Sequence, residues 1–119
     1  MVLIIGGAYQ GKTDFAKEQL AVQDGEVYTC TRETEPDWSA RCLRRVEEYI
    51  RYCLREGKTP ELRFRPDAVV IADDIFCGIV PLDPAERAWR EECGRYLGRV
   101  ARESEKVYRV FCGLGKCLK

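Results

Sequence analysis

The sequence predicts a small open α/β fold in which a mostly parallel sheet carries helices on its faces. Apolar runs that suit buried strands alternate along the chain with longer amphipathic segments that suit helices. A Gly-rich turn directly follows the first apolar run, and a strong helix-start signal follows the third. Because 119 residues suffice for one hydrophobic core, we expect a single domain over residues 1–119.

The first element is a short strand at Val2 to Ile5, and the turn after it reads GGAYQGKT from Gly6 to Thr13. This turn fits the phosphate-binding pattern G-x-x-x-x-G-K-[ST] without a mismatch. Glycines in such a turn let backbone N–H groups converge on an anion at the start of a helix. We therefore expect a helix from Thr13 to Val22, a bound nucleotide, and the P-loop NTPase type of α/β fold.

Two side chains of this loop have expected roles of their own. Lys12 supplies a mobile positive charge for the outer phosphates, and the Thr13 hydroxyl is a hard oxygen ligand for Mg²⁺. The residues expected to surround the phosphates are Gly6, Gly7, Ala8, Tyr9, Gln10, Gly11, Lys12 and Thr13. A strand-to-helix turn that binds nothing is the alternative, and the complete match to the pattern argues against it.

The middle of the chain predicts a second strand and a long helix. Glu26 to Thr31 follows a turn at Asp24-Gly25 and is typical of a strand. Start signals at Thr34 to Asp37 and a stop at Gly57 predict a helix between them. Its apolar stripe comprises Trp38, Cys42, Leu43, Val46, Ile50, Cys53 and Leu54. The opposite face carries Arg44, Arg51 and Arg55 with Glu47, Glu48 and Glu56. We expect that face to be solvated and linked by helical ion pairs, with a binding site as the alternative.

The last part of the chain predicts a central strand, a helix and a final strand. Ala68 to Ala72 is apolar on both faces, as in a buried parallel strand. A helix should begin at Asp83, because Pro84 and Glu86 complete its start signal. Its apolar stripe comprises Trp89, Cys93, Tyr96, Leu97, Val100 and Ala101. A strand at Val107 to Phe111 then precedes the tail CGLGKCLK. Ligands of such folds bind at the carboxyl ends of the strands, which is where GGAYQGKT lies.

Asp73 and Asp74 leave the end of the predicted central strand. Phosphate-loop enzymes commonly place an acidic residue there to hold Mg²⁺ or its water shell. Strand alternation predicts that the two carboxylates point to different sides. We expect Asp73 to face the metal and Asp74 to be a substrate-side or base candidate. The alternative is that one or both lie in solvent at the strand end.

Composition limits the classes of partner. Lys plus Arg and Asp plus Glu number 20 each, so the chain lacks the basic field of a non-specific nucleic-acid binder. It contains neither an apolar run of membrane-spanning length nor a signal peptide, so we expect no membrane partner and a cytoplasmic location. Seven cysteines without any histidine or C-x-x-C pair are expected to be reduced core or surface thiols, with no metal bound through them.

Several motifs together carry a resemblance to a known family. They are GGAYQGKT after a short apolar strand, GIVP at Gly78 to Pro81, R-x-W-R at Arg87 to Arg90, and the ending VYRVFCGLGKCLK. The sequence resembles the bifunctional adenosylcobinamide kinase and adenosylcobinamide-phosphate guanylyltransferase family of cobalamin synthesis, over the first 31 residues and from about residue 68 onward. The resemblance implies that Gly6 to Thr13 bind a nucleoside triphosphate. It also implies that Arg87 and Arg90 face phosphates, for which a helix-surface role is the alternative.

The chain also departs from that family. Members carry a separate strand ending in an aspartate, with a following helix, between the phosphate loop and the GIVP segment, and we expect this chain to lack both. Members also use a histidine to accept the guanylyl group, and no histidine occurs here. By order along the chain, that histidine would fall near Arg41 to Arg45, in the predicted long helix.

Two functions from different classes remain open. The first is a kinase that transfers the γ-phosphoryl group of Mg-ATP or Mg-GTP to an alcohol, by resemblance the aminopropanol arm of cobinamide, without guanylyltransferase activity. Its candidate residues are Lys12, Thr13 with Mg²⁺, one of Asp73 and Asp74, and an arginine. The second is a non-catalytic nucleotide-binding module, or degenerate paralogue of that family. The choice of ATP or GTP stays open, as does a homo-oligomer in which a neighbouring subunit closes the site.

Overall fold

The computed structural model describes residues 1–74 and 82–119, and the described strands all belong to one sheet. The strands are β1 (Val2–Gly6), β2 (Val27–Thr29), β3 (Cys42–Arg44), β4 (Val69–Asp73), β5 (Lys106–Phe111) and β6 (Leu114–Cys117). The α-helices are α1 (Lys12–Gln19), α2 (Val46–Glu56) and α3 (Pro84–Glu103). A short 3₁₀ turn at Asp24–Glu26 precedes β2. The segment GIVP and Cys77 lie outside the described residues.

The sheet has the strand order β2-β3-β4-β1-β5-β6 within the described chain. β1 pairs in parallel with both β4 and β5, and β3 pairs in parallel with β2 and β4. Only the last described strand, β6, runs antiparallel, as a hairpin partner of β5. The predicted α/β class with a mostly parallel sheet is therefore confirmed, and the carboxyl ends of β1, β3 and β4 meet at one edge.

Strand alternation divides the core between two faces of the sheet. Leu3 and Val70 pack on the face covered by α2 and α3, where Tyr49 and Tyr96 are fully buried. Ile4 and Ile71 pack on the other face, against Ala16 of α1 and Val22. The helix that follows the phosphate loop, α1, therefore covers this second face.

Four predicted elements appear where expected. The first strand, the strand after Ala68, the helix capped by Asp83 and the strand near Val107 all form. The Asp83 side chain accepts a hydrogen bond from the Ala85 N–H at 2.9 Å, as its N-cap role requires. The second strand is shorter than predicted, at Val27–Thr29.

The long helix predicted between Thr34 to Asp37 and Gly57 is wrong in its first half. Cys42–Arg44 forms β3, and the helix begins only at Val46, although it ends at Gly57 as predicted. Cys42 and Leu43 are fully buried on opposite faces of the sheet, which an apolar pair satisfies as well in a strand as in a helix. Asp37 accepts a hydrogen bond from the Ser39 N–H in a local turn instead of capping a helix.

This strand also corrects the expected departure from the family. A separate strand, β3, and a following helix, α2, do lie between the phosphate loop and residue 78. β3 ends in Arg44, however, and not in an aspartate. Arg41 to Arg45, predicted to be helical, belong to this strand and its flanks.

The solvated face predicted for the helix is also wrong in part. Glu47 and Glu48 are only 3% and 8% exposed, although they carry charge. The Glu48 carboxylate is paired with guanidinium groups, closest with Arg32 at 3.1 Å, so its burial is compensated.

The tail likewise differs from expectation, because part of CGLGKCLK forms β6.

Four of the described cysteines, Cys30, Cys42, Cys53 and Cys93, are buried and free, and Cys112 and Cys117 are exposed and free. Burial raises the pKa of the Cys30 thiol to about 12 and that of Cys42 to about 11, so both stay protonated near neutral pH. None of the described helices combines the length and apolar character that crossing a membrane requires.

Candidate nucleotide-binding site

The loop between β1 and α1 is held in a tight path that glycine makes possible. Gly11 adopts φ 88°, in the left-handed region, directly before Lys12 starts the helix. A Cβ on Gly6 would lie 2.5 Å from the backbone carbonyl oxygen of Val110. The first glycine of the pattern is therefore required by close approach to β5, and Gly11 by backbone conformation.

The turn between β5 and β6 supports the loop from one side. The side-chain Oε1 of Gln10 accepts a hydrogen bond from the Cys112 N–H at 2.7 Å. The backbone carbonyl of Gln10 accepts a second one from the Gly113 N–H at 2.8 Å. Residue Gln10, which the pattern leaves unspecified, thus ties the loop to the last hairpin of the sheet.

The Lys12 side chain is buried in the site and held by two close contacts. It is 8% exposed, and its Nζ donates a hydrogen bond to the carbonyl oxygen of Gly7 at 2.7 Å. The same Nζ lies 2.7 Å from Oδ1 of Asp73. Gly6 and Asp73 are register partners at the carboxyl ends of β1 and β4, which explains why the loop lysine and this carboxylate meet.

Asp73 and Asp74 point to opposite faces of the sheet, as alternation predicts. The Asp74 carboxylate pairs with Arg109 of β5 at 3.1 Å and lines an apolar groove of about 340 Å³ beside α3. Its backbone N–H donates to the Gly6 carbonyl at 2.7 Å. The structure therefore brings Asp73 to the loop lysine and places the Asp74 side chain away from it.

A cleft of about 470 Å³ opens between the loop and β3. Its lining comprises Ala8, Tyr9, Gln10, Gly11, Lys12, Thr13, Asp14, Arg44, Arg45 and Asp73. Arg87 and Arg90 of α3 are not among these described lining residues. A larger cleft of about 670 Å³ lies near Met1 and Pro66, at the amino ends of the strands. We assign the site to the loop cleft, because ligands of parallel α/β folds bind at the carboxyl ends.

Asp14, Arg44 and Arg45 line this cleft, although they are not among the site residues expected from the sequence. The periodicity placed Arg44 on a helix surface, whereas it ends β3. Arg45 adopts φ 58° and ψ 44°, in the left-handed region, and directs the chain from β3 into α2. A strand of three residues contains too few positions to reveal a period of two, so the sequence carries only a weak signal for β3.

Buried charge underlies the site. Oε1 of Glu47 accepts a hydrogen bond from the Asp73 N–H at 3.1 Å and so fixes the end of β4. Burial raises the pKa of Glu47. Hydrogen bonds from the backbone N–H groups of Glu47 and Asp73 oppose this rise, and the negative charge of Asp73 adds to it. The Arg45 guanidinium lies 3.9 Å from this carboxylate and 3.6 Å from that of Glu48.

The residues present are compatible with a magnesium ion at the loop. Thr13 offers a hydroxyl and Asp73 a carboxylate, both lining the same cleft, and Mg²⁺ prefers such hard oxygen ligands. The described residues contain no cluster of three or more His, Cys, Asp or Glu side chains arranged for a metal. Phosphate-bound Mg²⁺ needs few protein ligands, because water and phosphate oxygens complete its shell.

Comparison with known proteins agrees with the fold. The family model described as cobinamide kinase / cobinamide phosphate guanyltransferase matches residues 38–118, which is more than half of the chain. The match includes the middle of the chain, where the resemblance read from the sequence was weakest, and the phosphate loop precedes it. A search of the curated proteins finds no match. The chain therefore belongs to the cobinamide kinase / cobinamide phosphate guanyltransferase family, whose fold is of the P-loop NTPase type.

Proposed function

We propose that this chain is a kinase that transfers the γ-phosphoryl group of ATP or GTP to an alcohol. The observation that carries the proposal is the loop cleft, in which Lys12 Nζ lies 2.7 Å both from the Gly7 carbonyl and from Asp73. Family membership supports cobinamide or a cobinamide-like small molecule as the acceptor. In this proposal residues 1–119 form one nucleotide-binding domain.

In the proposed reaction, the hydroxyl oxygen of the acceptor attacks the γ-phosphorus. The bond from that phosphorus to the bridging oxygen breaks, the nucleoside diphosphate leaves, and the hydroxyl proton passes to water. Such transfer depends on positioning and charge neutralisation more than on a strong base. Lys12 and the loop N–H groups stabilise the negative charge on the phosphates, and Asp73 positions the lysine.

Magnesium would be held by Thr13 and Asp73, directly or through water, and would neutralise phosphate charge. Asp74 has a weaker claim to a role in the reaction, because its side chain pairs with Arg109 on the other face of the sheet. Arg87 and Arg90 stay candidates for phosphate contacts through the resemblance alone.

We further propose that the chain performs no guanylyl transfer through a covalent intermediate. The sequence contains no histidine, and arginine cannot replace one because its guanidinium stays protonated. Lys58, the lysine of the middle segment, donates to the Tyr52 hydroxyl at 2.9 Å and is not among the residues that line the cleft.

The alternative is a non-catalytic nucleotide-binding module of the same family. One observation favours it: β3 ends in Arg44, whereas family members are expected to carry an aspartate at the end of the corresponding strand. Both candidates bind nucleotide at the loop, so turnover and not binding separates them.

The test is a phosphoryl-transfer assay with γ-labelled ATP or GTP, Mg²⁺ and cobinamide. A kinase yields labelled acceptor and nucleoside diphosphate in equal amounts. Lys12→Ala should abolish the transfer, and Lys116→Ala, which removes an exposed lysine of β6, is the matched control. A wild-type protein that binds nucleotide without transferring label to any tested alcohol would support the non-catalytic module.

A further inference from the structure

The register of the sheet brings Arg44 to the face that carries the phosphate loop. β3 pairs with β4 through Cys42 opposite Val69 and Leu43 opposite Val70. Cys42 packs on the same face as Ala16 of α1, and alternation returns Arg44 to that face two residues later. Asp73 also rises from this face, and both side chains line the loop cleft.

The guanidinium of Arg44 differs from the other cations near the loop, because it forms no ion pair with a carboxylate of the described residues. Lys12 pairs with Asp73, Lys17 pairs with Asp24, and Arg45 lies beside two glutamates. Within residues 1–74 and 82–119, no carboxylate lies at ion-pair distance from Arg44. Asp14 lines the same cleft without forming such a pair.

The positive charge of Arg44 acts on a neighbouring cation, Lys17. The pKa of Lys17 is raised by its hydrogen bond and attraction to Asp24, and the charge of Arg44 opposes that rise. An anion bound in the cleft beside Arg44 would relieve this repulsion between the two cations. The arginine is half-buried in this cleft, which favours a ligand with several negative oxygens over water alone.

We propose that Arg44, at the end of β3, binds the outer phosphates of the nucleoside triphosphate through its positive charge. The proposal rests on nucleotide binding at the loop. β3 lies two strands from β1, about 10 Å across the sheet. The cleft reaches from the loop to Asp73 and Arg44, so phosphates bound in it would come within reach of Arg44. A planar guanidinium can donate two hydrogen bonds to one phosphate group.

One consequence separates this role from a structural one. A carboxylate at the end of β3 would repel the phosphates and depend on a metal ion to bridge them, whereas Arg44 attracts them directly. Nucleotide affinity of the wild type should therefore persist, although weakened, when Mg²⁺ is removed. The affinity for AMP, which lacks the outer phosphates, should not depend on Arg44.

The experiment measures Kd by calorimetry for ATP, GTP and AMP, in Mg²⁺ and in EDTA, on four proteins. These are the wild type, Arg44→Met, Arg44→Asp and the control Arg63→Met, which removes an exposed arginine of a loop outside the cleft. Arg44→Met keeps the apolar stem and should lower triphosphate affinity about tenfold or more in EDTA, with a smaller loss in Mg²⁺. Arg44→Asp should bind triphosphate only when Mg²⁺ is present. Circular dichroism checks that each variant is folded.

The outcomes are distinct. Loss of triphosphate affinity in Arg44→Met with unchanged AMP affinity supports the proposal, and Arg63→Met should match the wild type. Equal triphosphate affinity of Arg44→Met and wild type, with and without Mg²⁺, overturns it while leaving nucleotide binding intact. A wild type that binds no nucleotide overturns both this proposal and the proposed function. If Arg44→Asp does not fold, the comparison of Arg44→Met with wild type still decides.

Discussion

The ammonium nitrogen of Lys12 lies 2.7 Å from Oδ1 of Asp73, which joins the start of α1 to the end of β4. The two residues are 61 positions apart in the chain, and the parallel pairing of β1 with β4 brings them together. Lys12 is almost fully buried, so its charge requires this partner when no phosphate is bound. The pair therefore holds the lysine at the mouth of the loop, where the proposed function needs it to meet the phosphates.

Because Asp73 faces the loop and Asp74 faces Arg109, the two aspartates should differ in their effect on nucleotide binding. Asp73→Asn should lower Mg-nucleotide affinity, since it removes the partner of Lys12 and a candidate metal ligand. Asp74→Asn should change that affinity little. Calorimetry with Mg-ATP and Mg-GTP measures both variants. Equal affinities for the two variants and the wild type would show that neither carboxylate acts in binding.

Gly6 should not tolerate alanine, because the added Cβ would lie 2.5 Å from the Val110 carbonyl oxygen. Gly6→Ala should lower the free energy of unfolding by about 1 to 3 kcal/mol, since backbone must shift to relieve the clash. Gly25→Ala is the control, because nothing lies within 4 Å of the corresponding Cβ. Urea denaturation measures both. A Gly6→Ala variant as stable as Gly25→Ala would contradict the close packing of the loop on β5.

Glu47 should make stability depend on pH in a defined direction. Burial raises its folded-state pKa above 4.5, so the folded chain holds this proton more tightly than the unfolded chain does. Its contribution to stability is fully present below about pH 4.5 and is lost as the pH rises through the folded-state pKa.

Glu47→Gln keeps an acceptor for the Asp73 N–H and removes the titration. The difference in free energy of unfolding between this variant and the wild type should therefore shift in favour of the variant as the pH rises from about 4 to about 7. Glu103→Gln, at an exposed position of α3, should show no comparable shift. Parallel stability curves for Glu47→Gln and wild type would refute the argument.

The proposed lack of guanylyl transfer predicts that no covalent nucleotidyl intermediate forms. The residue expected to accept the guanylyl group is histidine, which is deprotonated near neutral pH and a good leaving group, and the chain has none. The protein is incubated with Mg²⁺ and α-labelled GTP, denatured, and assayed for acid-labile label on the chain. Background label is expected, and stoichiometric label would show that another side chain has taken this role.

Much of the fold could be predicted because long apolar runs and cap signals are local. The strand before Gly6, the strand before Asp73 and the helix after Asp83 each carry their own pattern. β3 and β6 could not be predicted in this way. Cys42–Arg44 is too short for a clear period, and its apolar pair also fits the stripe of a helix that begins two residues later.

The residues of the candidate site also differ in whether a local sequence pattern indicates them. The loop motif placed Lys12, and strand alternation separated Asp73 from Asp74 correctly. Arg44 and the buried Glu47 were assigned to a solvated helix face, with a binding site only as the alternative, because their positions depend on the pairing of β3 with β4 and on the packing of α2 under the site. Such long-range relationships leave no spacing in the sequence that indicates them.

The most direct test of the account is the affinity of the loop for Mg-ATP and Mg-GTP with and without the Lys12 ammonium. Calorimetry compares the wild type with Lys12→Ala and with the control Lys116→Ala. We predict saturable binding of at least one triphosphate by the wild type and by Lys116→Ala, and a loss of about tenfold or more in Lys12→Ala, because a charged contact to phosphate is removed. Equal affinity of Lys12→Ala and wild type, or no binding of either nucleotide by the wild type, would contradict nucleotide binding at Gly6 to Thr13.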